Sequence, residues 1–573
     1  MEKSLRQYAL WCGETLPKEL RKELEYIKEN HDEIHDRFYR DMTFGTSGLR
    51  GRMGVGTTRI NSVVLRRATM GIADYVLEKR SHPAIVISYD TRANSRFYAE
   101  EVAQTLSSRG IDTWIMAEPQ PVPLLSFTIR YMGLSGGIMI TASHNPKEYN
   151  GYKVYDHYGN QIDDKKARLM ETYIEKHGYF ENRRKAPGTD GKIYKVPEEV
   201  LQKYRDSISG IAPWWQEELQ CRKVMDTLDV IYTPLNGTGC SHVTEIFRRL
   251  GVGQVEVVEN QIIGDGKFET CPSPNPENRK AFAEAEKLAT SRVAQGKNPA
   301  DIIIATDPDC DRMGVMVYDH GQYVLLSGNQ VGELIFEYLC DCKEREGVDL
   351  KKKFVYKSLV SSPLVDVMGK ARGVGVGNTL TGFKNIALKM EDLCQQGREE
   401  DFLFGFEESI GYLYGTYTRD KDGVMAAQLV ALVAGYCKAQ GMSLMDLLDQ
   451  IHEKYGFVET RSGALHFARE KDRIVMSEIM ESLFRGELDF AAGFGVKQDD
   501  SYRSSGIFRG VIDCDGTAHH SFIVRPSGTE LKLKSYVFAE GETNEEAETM
   551  ADKILQELQN WLEKKKEENY INE

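Results

Sequence analysis

Apolar residues along the chain follow two different spacings. Where they recur every three or four positions, they predict amphipathic helices, as over Leu16–Phe38 and Asn544–Lys564. Thr543 and Glu546 predict a capping box for the second helix. Short runs rich in Ile and Val predict buried strands at Ala84–Ser88, Gly137–Ile140, Val230–Tyr232, Asp301–Ala305, Phe354–Tyr356, Phe402–Phe404 and Ser521–Val524. Strands alternating with helices indicate α/β layers with largely parallel sheets.

The length and the joints of the chain indicate four domains. The chain has 573 residues, and domains commonly hold roughly 150. Candidate joints are the Pro-rich loop Cys271–Glu277, the charged stretch Cys342–Lys353, and the change to a shorter, strand-rich pattern near Phe457. We expect domains at residues 1–215, 216–327, 328–455 and 456–573.

Composition and charge exclude several classes of protein. Apolar residues make up 41% of the chain and charged residues 28%, which is typical of globular proteins. A net charge of −14 argues against nucleic-acid and anionic-membrane partners, which bind basic surfaces. The ten cysteines are scattered without zinc spacing, which favours reduced thiols. With no apolar leader and no membrane-length apolar stretch, we expect a soluble cytoplasmic protein; the oligomeric state is not predicted.

Four predicted strands each run directly into an unusual polar loop. The loops are Thr141–Pro146, Thr306–Arg312, Gly405–Ser409 and Arg525–Glu530. In parallel α/β units, ligands bind beyond the carboxyl ends of the strands. One such loop in each quarter of the chain therefore suggests four domains that face one cleft.

The second loop carries Asp307, Asp309 and Asp311 at alternate positions, so an extended, curving chain can aim all three carboxylates at one point. Such hard oxygen ligands favour Mg²⁺ or Mn²⁺ over zinc. An EF-hand is excluded, because its Gly and Glu positions hold Arg312 and Tyr318. A phosphatase with an aspartate nucleophile and a simple acidic turn remain as alternatives.

Ser143 needs activation to act as a nucleophile, because a serine hydroxyl is weak at neutral pH. His144 is its neighbour, and Lys153 follows the turn Asn150-Gly151-Tyr152. A phosphorylated Ser143 beside a divalent cation would account for both loops, since phosphate oxygens require a counter-charge. An ordinary turn serine is the alternative.

The remaining two loops suggest ligand contacts. One of them offers a guanidinium group, hydroxyls and approachable backbone amides, which suit a phosphate; it is Arg525-Pro526-Ser527-Gly528-Thr529. A hairpin turn is the alternative for this loop. Glu407-Glu408-Ser409 suits sugar hydroxyls, or begins a helix capped by Glu408 or Ser409. The loop Gly45–Gly51, with Arg50, and the segment around Lys384 are further candidates for a phosphate contact.

Taken together and in this order, these motifs resemble the α-D-phosphohexomutase superfamily, and within it the longer phosphoglucomutases. The resemblance runs from about Gly45 to Thr529 and is carried by five segments: Phe44–Gly51, Thr141–Pro146, Asp307–Arg312, Glu407–Ser409 and Arg525–Thr529. It implies three similar mixed α/β-sandwich domains plus a smaller α+β C-terminal domain around a central cleft. The chain departs from the family at Phe406, where many relatives have Gly.

The resemblance also implies roles for individual residues. Ser143 is expected to be the phosphoserine and, with Asp307, Asp309 and Asp311, to hold one Mg²⁺. The transferring phosphate would be surrounded by Arg50, His144, Lys153 and Arg312, with Lys153 as the acid/base candidate. Glu407, Ser409 and Lys384 would contact the sugar. The phosphate that does not react would be bound by Arg525, Ser527, Gly528 and Thr529.

The function implied is a phosphoglucomutase that interconverts glucose 1-phosphate and glucose 6-phosphate through a glucose 1,6-bisphosphate intermediate, which also serves as activator. The expected partner is thus a small phosphorylated sugar. Mannose, pentose or sugar-bisphosphate synthase activity within the family stays open. Outside this class, the alternatives are a metal-dependent sugar phosphatase and a non-catalytic sugar-phosphate sensor.

Overall fold

A computed structural model gives the fold of the chain. The structure describes residues 2–45, 48–181, 190–215, 218–264, 266–467, 472–490, 494–514, 518–527 and 531–571. The chain forms two compact units. One comprises Met1–Ser358 and Gly377–Leu444, and the other comprises Leu359–Val376 and Met445–Glu573.

The first sheet of the larger unit has six strands in the order β1-β5-β4-β2-β3-β6. Strands β2, β3, β4 and β6 are parallel, and β5 pairs antiparallel with both β4 and β1. The strands are β1 (Leu49–Arg52), β2 (Ala84–Tyr89), β3 (Asp112–Ile115), β4 (Gly136–Ile140), β5 (Tyr149–Tyr155) and β6 (Ile193–Lys195). The helices of this part are α1 (Glu2–Gly13), α2 (Lys18–Ile27), α3 (His31–Phe38), α4 (Ser62–Lys79), α5 (Ser95–Ser108), α6 (Val122–Met132), α7 (Asp164–Ile174) and α8 (Glu198–Gly210).

One helix prediction is wrong near the N-terminus. The segment Leu16–Phe38, predicted as a single helix, forms α2 and α3. Asn30 separates them, because its side chain accepts a hydrogen bond from the backbone N–H of Glu33 and so caps α3.

The second sheet of the larger unit has five strands in the order β11-β10-β9-β7-β8. Strands β7, β8 and β9 are parallel, and β10 and β11 form an antiparallel extension. The strands are β7 (Asp229–Thr233), β8 (Gln254–Val257), β9 (Ile302–Thr306), β10 (Met313–Asp319) and β11 (Gln322–Leu325). Its helices are α9 (Glu218–Met225), α10 (Cys240–Leu250) and α11 (Ala283–Ala294).

A third, four-stranded sheet has the order β13-β12-β14-β15, with β12 and β14 parallel and β14 and β15 antiparallel. The strands are β12 (Phe354–Ser358), β13 (Gly375–Thr379), β14 (Phe402–Glu407) and β15 (Gly411–Tyr414). Helices in this part of the chain are α12 (Gly328–Arg345), α13 (Leu364–Arg372), α14 (Phe383–Gln395), α15 (Gly423–Ala439) and α16 (Leu444–Tyr455). Helix α15 is buried along almost its whole length.

The smaller unit contains a five-stranded antiparallel sheet in the order β16-β20-β19-β18-β17. The strands are β16 (Phe457–His466), β17 (Val496–Asp499), β18 (Phe508–Cys514), β19 (Ala518–Pro526) and β20 (Lys532–Gly541). Helices α17 (Arg473–Phe484) and α18 (Asn544–Ile571) belong to this unit, as do α13 and nearly all of α16. Leu359 and Val360, far earlier in the chain, pack in this unit against Ile507, Ile523 and Tyr536.

The C-terminal helix begins at the predicted residue but is longer than predicted. The backbone N–H of Glu546 donates to Thr543 Oγ1 at 3.2 Å, as a capping box requires. The Glu546 carboxylate accepts instead from the backbone N–H of Glu542. Helix α18 continues past Lys564 to Ile571.

The sheets confirm the α/β class predicted from the strand and helix pattern, with a β-rich unit at the C-terminus. Within the described parts of the chain, no helix is both long enough and apolar enough to cross a membrane.

Candidate active site

The serine loop follows β4 in the first sheet. Ser143 has a left-handed backbone (φ 52°), which is uncommon for a residue other than glycine. Its backbone N–H donates to Thr141 Oγ1 at 2.8 Å, and its Oγ donates to Asp307 Oδ2 at 2.8 Å. His144 Nδ1 lies 3.3 Å from the same Oγ. Ser143 is only 3% exposed, so the predicted nucleophile meets the predicted metal loop inside the protein.

The backbone of this loop is held by Arg92, which sequence analysis did not predict. Its guanidinium donates to the carbonyl oxygens of Ser143 and Asn145, and to those of Pro146 (2.9 Å) and Tyr149 (3.3 Å). One buried side chain thus satisfies four carbonyls of the turn that presents Ser143. The sequence signal available was Asp90-Thr91-Arg92, a charged group directly after the apolar strand β2.

Arg92 is itself positioned by Asp90. Arg92 Nε lies 3.2 Å from Asp90 Oδ2, and neither side chain has any exposed surface. Asp90 also accepts hydrogen bonds from Thr141 Oγ1 (2.6 Å), Ser95 Oγ (2.7 Å) and the Arg92 backbone N–H (2.9 Å). Burial nevertheless raises the pKa of Asp90, and Arg92 opposes that rise.

The three aspartates follow β9 and are buried together. One carboxylate oxygen from each of Asp307, Asp309 and Asp311 lies within 4.8 Å of those of the other two. Asp307 Oδ1 accepts the backbone N–H groups of Asp311 and Arg312, both at 3.1 Å. Oδ1 of Asp309 and Oδ1 of Asp311 have no hydrogen-bond partner among the described residues. The predicted convergence of the carboxylates is therefore present.

This cluster fits a divalent metal ion. Three carboxylates provide the hard oxygen ligands that Mg²⁺ or Ca²⁺ prefers, and their two orphaned oxygens leave buried negative charge for an ion to satisfy. Burial raises the pKa of Asp307 well above its usual range, and the charges of Asp309 and Asp311 raise it further. Burial would also raise the pKa of Asp311, but Lys421, Lys153 and Arg312 outweigh it and lower that pKa.

Two lysines, of which Lys153 is buried and Lys421 is half-buried, contact the aspartates. Lys153, on β5, places Nζ 2.9 Å from Asp309 Oδ2 and 3.5 Å from Asp311 Oδ2. Lys421, which follows β15, places Nζ 2.7 Å from Asp311 Oδ2. Burial would lower the pKa of Lys421, but Asp311 and Asp420 raise it above its usual value, so this lysine is a cation. Sequence analysis proposed Lys153 and missed Lys421, whose signal was the charged stretch Asp420–Asp422 before the apolar helix α15.

The other three residues proposed for the transferring phosphate lie at the same place. Arg50, on β1, donates from Nη1 to Asn145 Oδ1 at 3.2 Å. Burial, followed by the charges of Arg312 and Arg50, lowers the pKa of His144 well below its usual value, so the imidazole is neutral. Burial would lower the pKa of Arg312, but Glu277 and Asp311 raise it. The guanidinium groups of Arg312 and Arg50 therefore lie beside the serine loop, and these cations suit a phosphoryl group. Thr46 and Ser47, in the loop before Arg50, lie outside the described residues.

The proposed sugar contacts are only partly free for a ligand. Glu407 ends β14, is buried, and accepts the backbone N–H of Gly382 at 2.7 Å. Ser409 is half-buried in the turn between β14 and β15, so the alternative of a helix starting at Glu408 or Ser409 is wrong. Lys384, near the start of α14, forms an ion pair with Asp164 of α7.

The proposed phosphate loop belongs to the smaller unit and is only partly described. Arg525 Nη2 donates to Tyr536 Oη at 3.0 Å, and the guanidinium stacks over that ring. The backbone N–H of Ser527 donates to the Lys532 carbonyl at 2.9 Å. Strands β19 and β20 pair on either side, so the loop does join a hairpin. Gly528 and Thr529 lie outside the described residues, and the phosphate cradle stays a prediction.

Comparison with known proteins identifies the class. Residues 41–180, 203–321 and 327–455 match the phosphoglucomutase/phosphomannomutase alpha/beta/alpha domains I, II and III, respectively. A phosphoglucomutase of Staphylococcus aureus (strain bovine RF122 / ET3-1) is 32% identical over 533 residues, which cover 89% of this chain and 92% of that protein. One from Staphylococcus epidermidis (strain ATCC 12228 / FDA PCI 1200) is 32% identical over 530 residues, with coverage of 89% and 93%.

Solved structures share the fold at lower identity. A phosphoglucomutase/phosphomannomutase family protein from Burkholderia thailandensis gives a TM-score of 0.65 at 16% identity and covers 92% of this chain and 98% of its own. The open form of parafusin, a phosphoglucomutase from Paramecium, gives a TM-score of 0.63 at 17% identity and covers 88% of this chain and 91% of its own.

The fold and the matched domains define a phosphotransferase of the mutase class, within the α-D-phosphohexomutase superfamily. The aspartate cluster is suited to the metal ion on which such enzymes depend. The chain belongs to the phosphoglucomutase/phosphomannomutase family.

Proposed function

We propose that this protein is a phosphoglucomutase, which reversibly interconverts α-D-glucose 1-phosphate and glucose 6-phosphate. The observation that carries the proposal is the 2.8 Å contact between Ser143 Oγ and Asp307 Oδ2, with Arg50, Arg312 and Lys153 as the neighbouring cations. Relatives named phosphoglucomutase, at 32% identity over most of the chain, support this choice of sugar.

In this proposal Ser143 is a phosphoserine in the resting enzyme. The phosphoserine and the carboxylates of Asp307, Asp309 and Asp311 would hold one Mg²⁺, to which the orphaned oxygens of Asp309 and Asp311 are suited. When bound, the ion supplies Lewis-acid stabilisation of charge on the phosphoryl oxygens.

The chain's own residues then transfer the phosphoryl group in two reciprocal steps. The free hydroxyl of the sugar monophosphate attacks the phosphorus on Ser143; the new sugar–phosphate bond forms as the bond to Ser143 Oγ breaks. Overall, the hydroxyl proton replaces the phosphoryl group on Ser143 Oγ. Lys153, placed beside Asp309 by β5, would accept that proton as a neutral amine and pass it on. The bisphosphate then turns over, and its other phosphate returns to Ser143. Arg50, Arg312 and neutral His144 orient the transferring group and offset its charge.

The remaining residues would hold the sugar and its second phosphate. Glu407 and Ser409 would contact the hydroxyls. Lys384 would join them after leaving its ion pair with Asp164. We assign the phosphate that does not react to Arg525, Ser527, Gly528 and Thr529. Glucose 1,6-bisphosphate would act as activator, because it can restore a phosphate lost from Ser143.

A coupled assay tests the proposal directly. Glucose 1-phosphate with Mg²⁺ and a trace of glucose 1,6-bisphosphate should yield glucose 6-phosphate, and peptide mapping should locate phosphate on Ser143. Ser143→Ala should abolish turnover but keep binding of the sugar phosphate. Ser207→Ala is the matched control, because Ser207 lies on α8 and its hydroxyl donates to the Lys203 carbonyl one turn earlier in that helix. Unimpaired turnover in Ser143→Ala would reject the mechanism.

A comparison of sugars tests the substrate. Rates on glucose, mannose and ribose phosphates should favour glucose. A higher rate on mannose or ribose phosphate would mean that the same mechanism acts on another sugar as the preferred substrate. Net release of inorganic phosphate would indicate a phosphatase instead.

A further inference from the structure

A cavity of about 200 Å³ lies between the C-terminal half of α4 and the N-terminal half of α7, over the first sheet. The two helices approach closely at one end, where a Cβ on Gly71 would lie 2.5 Å from the backbone of Ile174. Away from that contact the gap between them is open. Its lining includes the apolar side chains of Ile72, Val76, Ile85, Ile138, Val154 and Met170.

The cavity is separate from the candidate active site. It takes in Gly136–Ile138, at the beginning of β4, whereas Ser143 lies beyond the end of that strand. At about 3.3 Å per strand residue, the two sites are on the order of 15 Å apart. None of the residues assigned to catalysis or to the metal lines the cavity.

The rim of the cavity is cationic in a chain that is acidic overall. Lys79, Arg80 and Lys166 line it together with Asp156. Lys166 contacts Asp156 at 2.6 Å and Asp163 at 3.7 Å, and Lys79 contacts Glu78 at 3.2 Å. Arg80 is exposed, and its guanidinium forms no ion pair with any described residue. Arg80 and His157 both line the cavity, and burial followed by the charge of Arg80 lowers the pKa of His157.

We propose that this cavity is a second binding site, which takes a small organic anion: a carboxylate or phosphate on a single-ring apolar body. Pockets for drug-sized ligands hold roughly 300–1,000 Å³, so a cavity of about 200 Å³ suits a smaller molecule. The apolar walls bury the ring, and Arg80 and Lys79 bind the anionic group at the rim.

The cavity is connected to the active site through Tyr155. Tyr155 lines the cavity and donates from Oη to Asp420 Oδ2 at 2.7 Å. Asp420 lies 3.6 Å from Lys421 Nζ, which contacts Asp311. A ligand that moves the Tyr155 ring therefore shifts the charge beside Asp311. This effect on turnover rests on the proposed function, whereas binding does not.

Ligand-observed NMR titration of the full-length protein tests the site, with benzoate and phenyl phosphate as probes and benzyl alcohol as the uncharged comparison. Arg80→Glu should weaken binding of both anions by at least about tenfold, since it replaces a charge-assisted contact by repulsion. Arg168→Glu is the matched control, because Arg168 is exposed on α7 and does not line the cavity. Val76→Trp, which fills the space, should abolish binding.

Three results would overturn the proposal: equal affinity for benzyl alcohol, equal weakening by Arg80→Glu and Arg168→Glu, or no saturable binding at millimolar probe. In a parallel mutase assay, benzoate should change the rate of the wild-type protein and leave that of Arg80→Glu unchanged. Saturable, Arg80-dependent binding by a protein without mutase turnover would support the site and reject the proposed function, so the two failures are distinguishable.

Discussion

Replacing Arg92 by Lys tests whether the serine loop is held by this single side chain. Arg92 reaches the carbonyls of Pro146 and Tyr149 with Nη1, and those of Ser143 and Asn145 with Nη2. A lysine keeps the positive charge but has one ammonium group, which cannot occupy both positions of the guanidinium fork.

The magnitude follows from the bonds that are lost. If the substituted lysine satisfied one pair of carbonyls, two charge-assisted hydrogen bonds would be lost, at about 1.5–3 kcal/mol each. We expect the lower end, about 3 kcal/mol in total, because the freed loop can move towards solvent. Ser143 would then leave its left-handed backbone, which costs about 1–3 kcal/mol to maintain. A displacement of about 1 Å at the nucleophile can lower turnover by roughly 100-fold.

Thermal unfolding and steady-state kinetics of Arg92→Lys measure both effects. The melting temperature should fall by roughly 3 °C, because the unfolding entropy of so large a unit is high, and kcat should fall while the stoichiometry of Ser143 phosphorylation with excess glucose 1,6-bisphosphate is retained. Arg96→Lys is the matched control, since Arg96 is largely exposed and forms an ion pair with Glu100 one turn along the same helix. If the two variants had the same melting temperature and the same kcat, Arg92 would not position the loop.

Three further predictions concern other parts of the larger unit. Burial lowers the pKa of His242 to about 3, so the unfolded chain binds more protons than the folded protein below about pH 6.5. Between neutral pH and pH 5, the wild-type protein should therefore lose about 2 kcal/mol of unfolding free energy relative to His242→Gln. Parallel curves of unfolding free energy against pH for the two proteins would contradict this. Mg²⁺ should raise the melting temperature of wild type but not of Asp309→Asn, and equal shifts would place the ion elsewhere. Tyr155→Phe leaves buried Asp420 without its 2.7 Å donor and should cost about 1–3 kcal/mol in denaturant titrations; Tyr75→Phe is the control, and equal losses would refute the contribution of this bond.

Much of the fold was predictable because buried strands and amphipathic helices differ in their apolar spacing. The run before Ser143 and the run before Asp307 form β4 and β9 within a residue of their predicted limits. The Leu16–Phe38 prediction failed because the apolar spacing continues across the break, and the only signal there was one capping residue, Asn30, in a polar stretch. The domain limits stay predictions.

The candidate site was predictable where its residues sit in loops directly after strands. Ser143 and the aspartates are of this kind, and the structure brings them together. Arg92 and Lys421 were missed because the site residues that they contact, Ser143 and Asp311, lie 51 and 110 residues away in the chain, and a local pattern carries no information about such contacts. The ion pair of Lys384 with Asp164 was unforeseen for the same reason.

The early segment Leu359–Val376 that folds with the C-terminal residues sets a limit on cutting this protein into pieces. A recombinant fragment starting at Met445 would lack Leu359 and Val360, and so would leave Ile507 and Phe538 uncovered. Each missing side chain removes about 1.5–3 kcal/mol of burial. Such a truncation should aggregate on expression unless that early segment is supplied, as a peptide added in trans or a graft at its N-terminus.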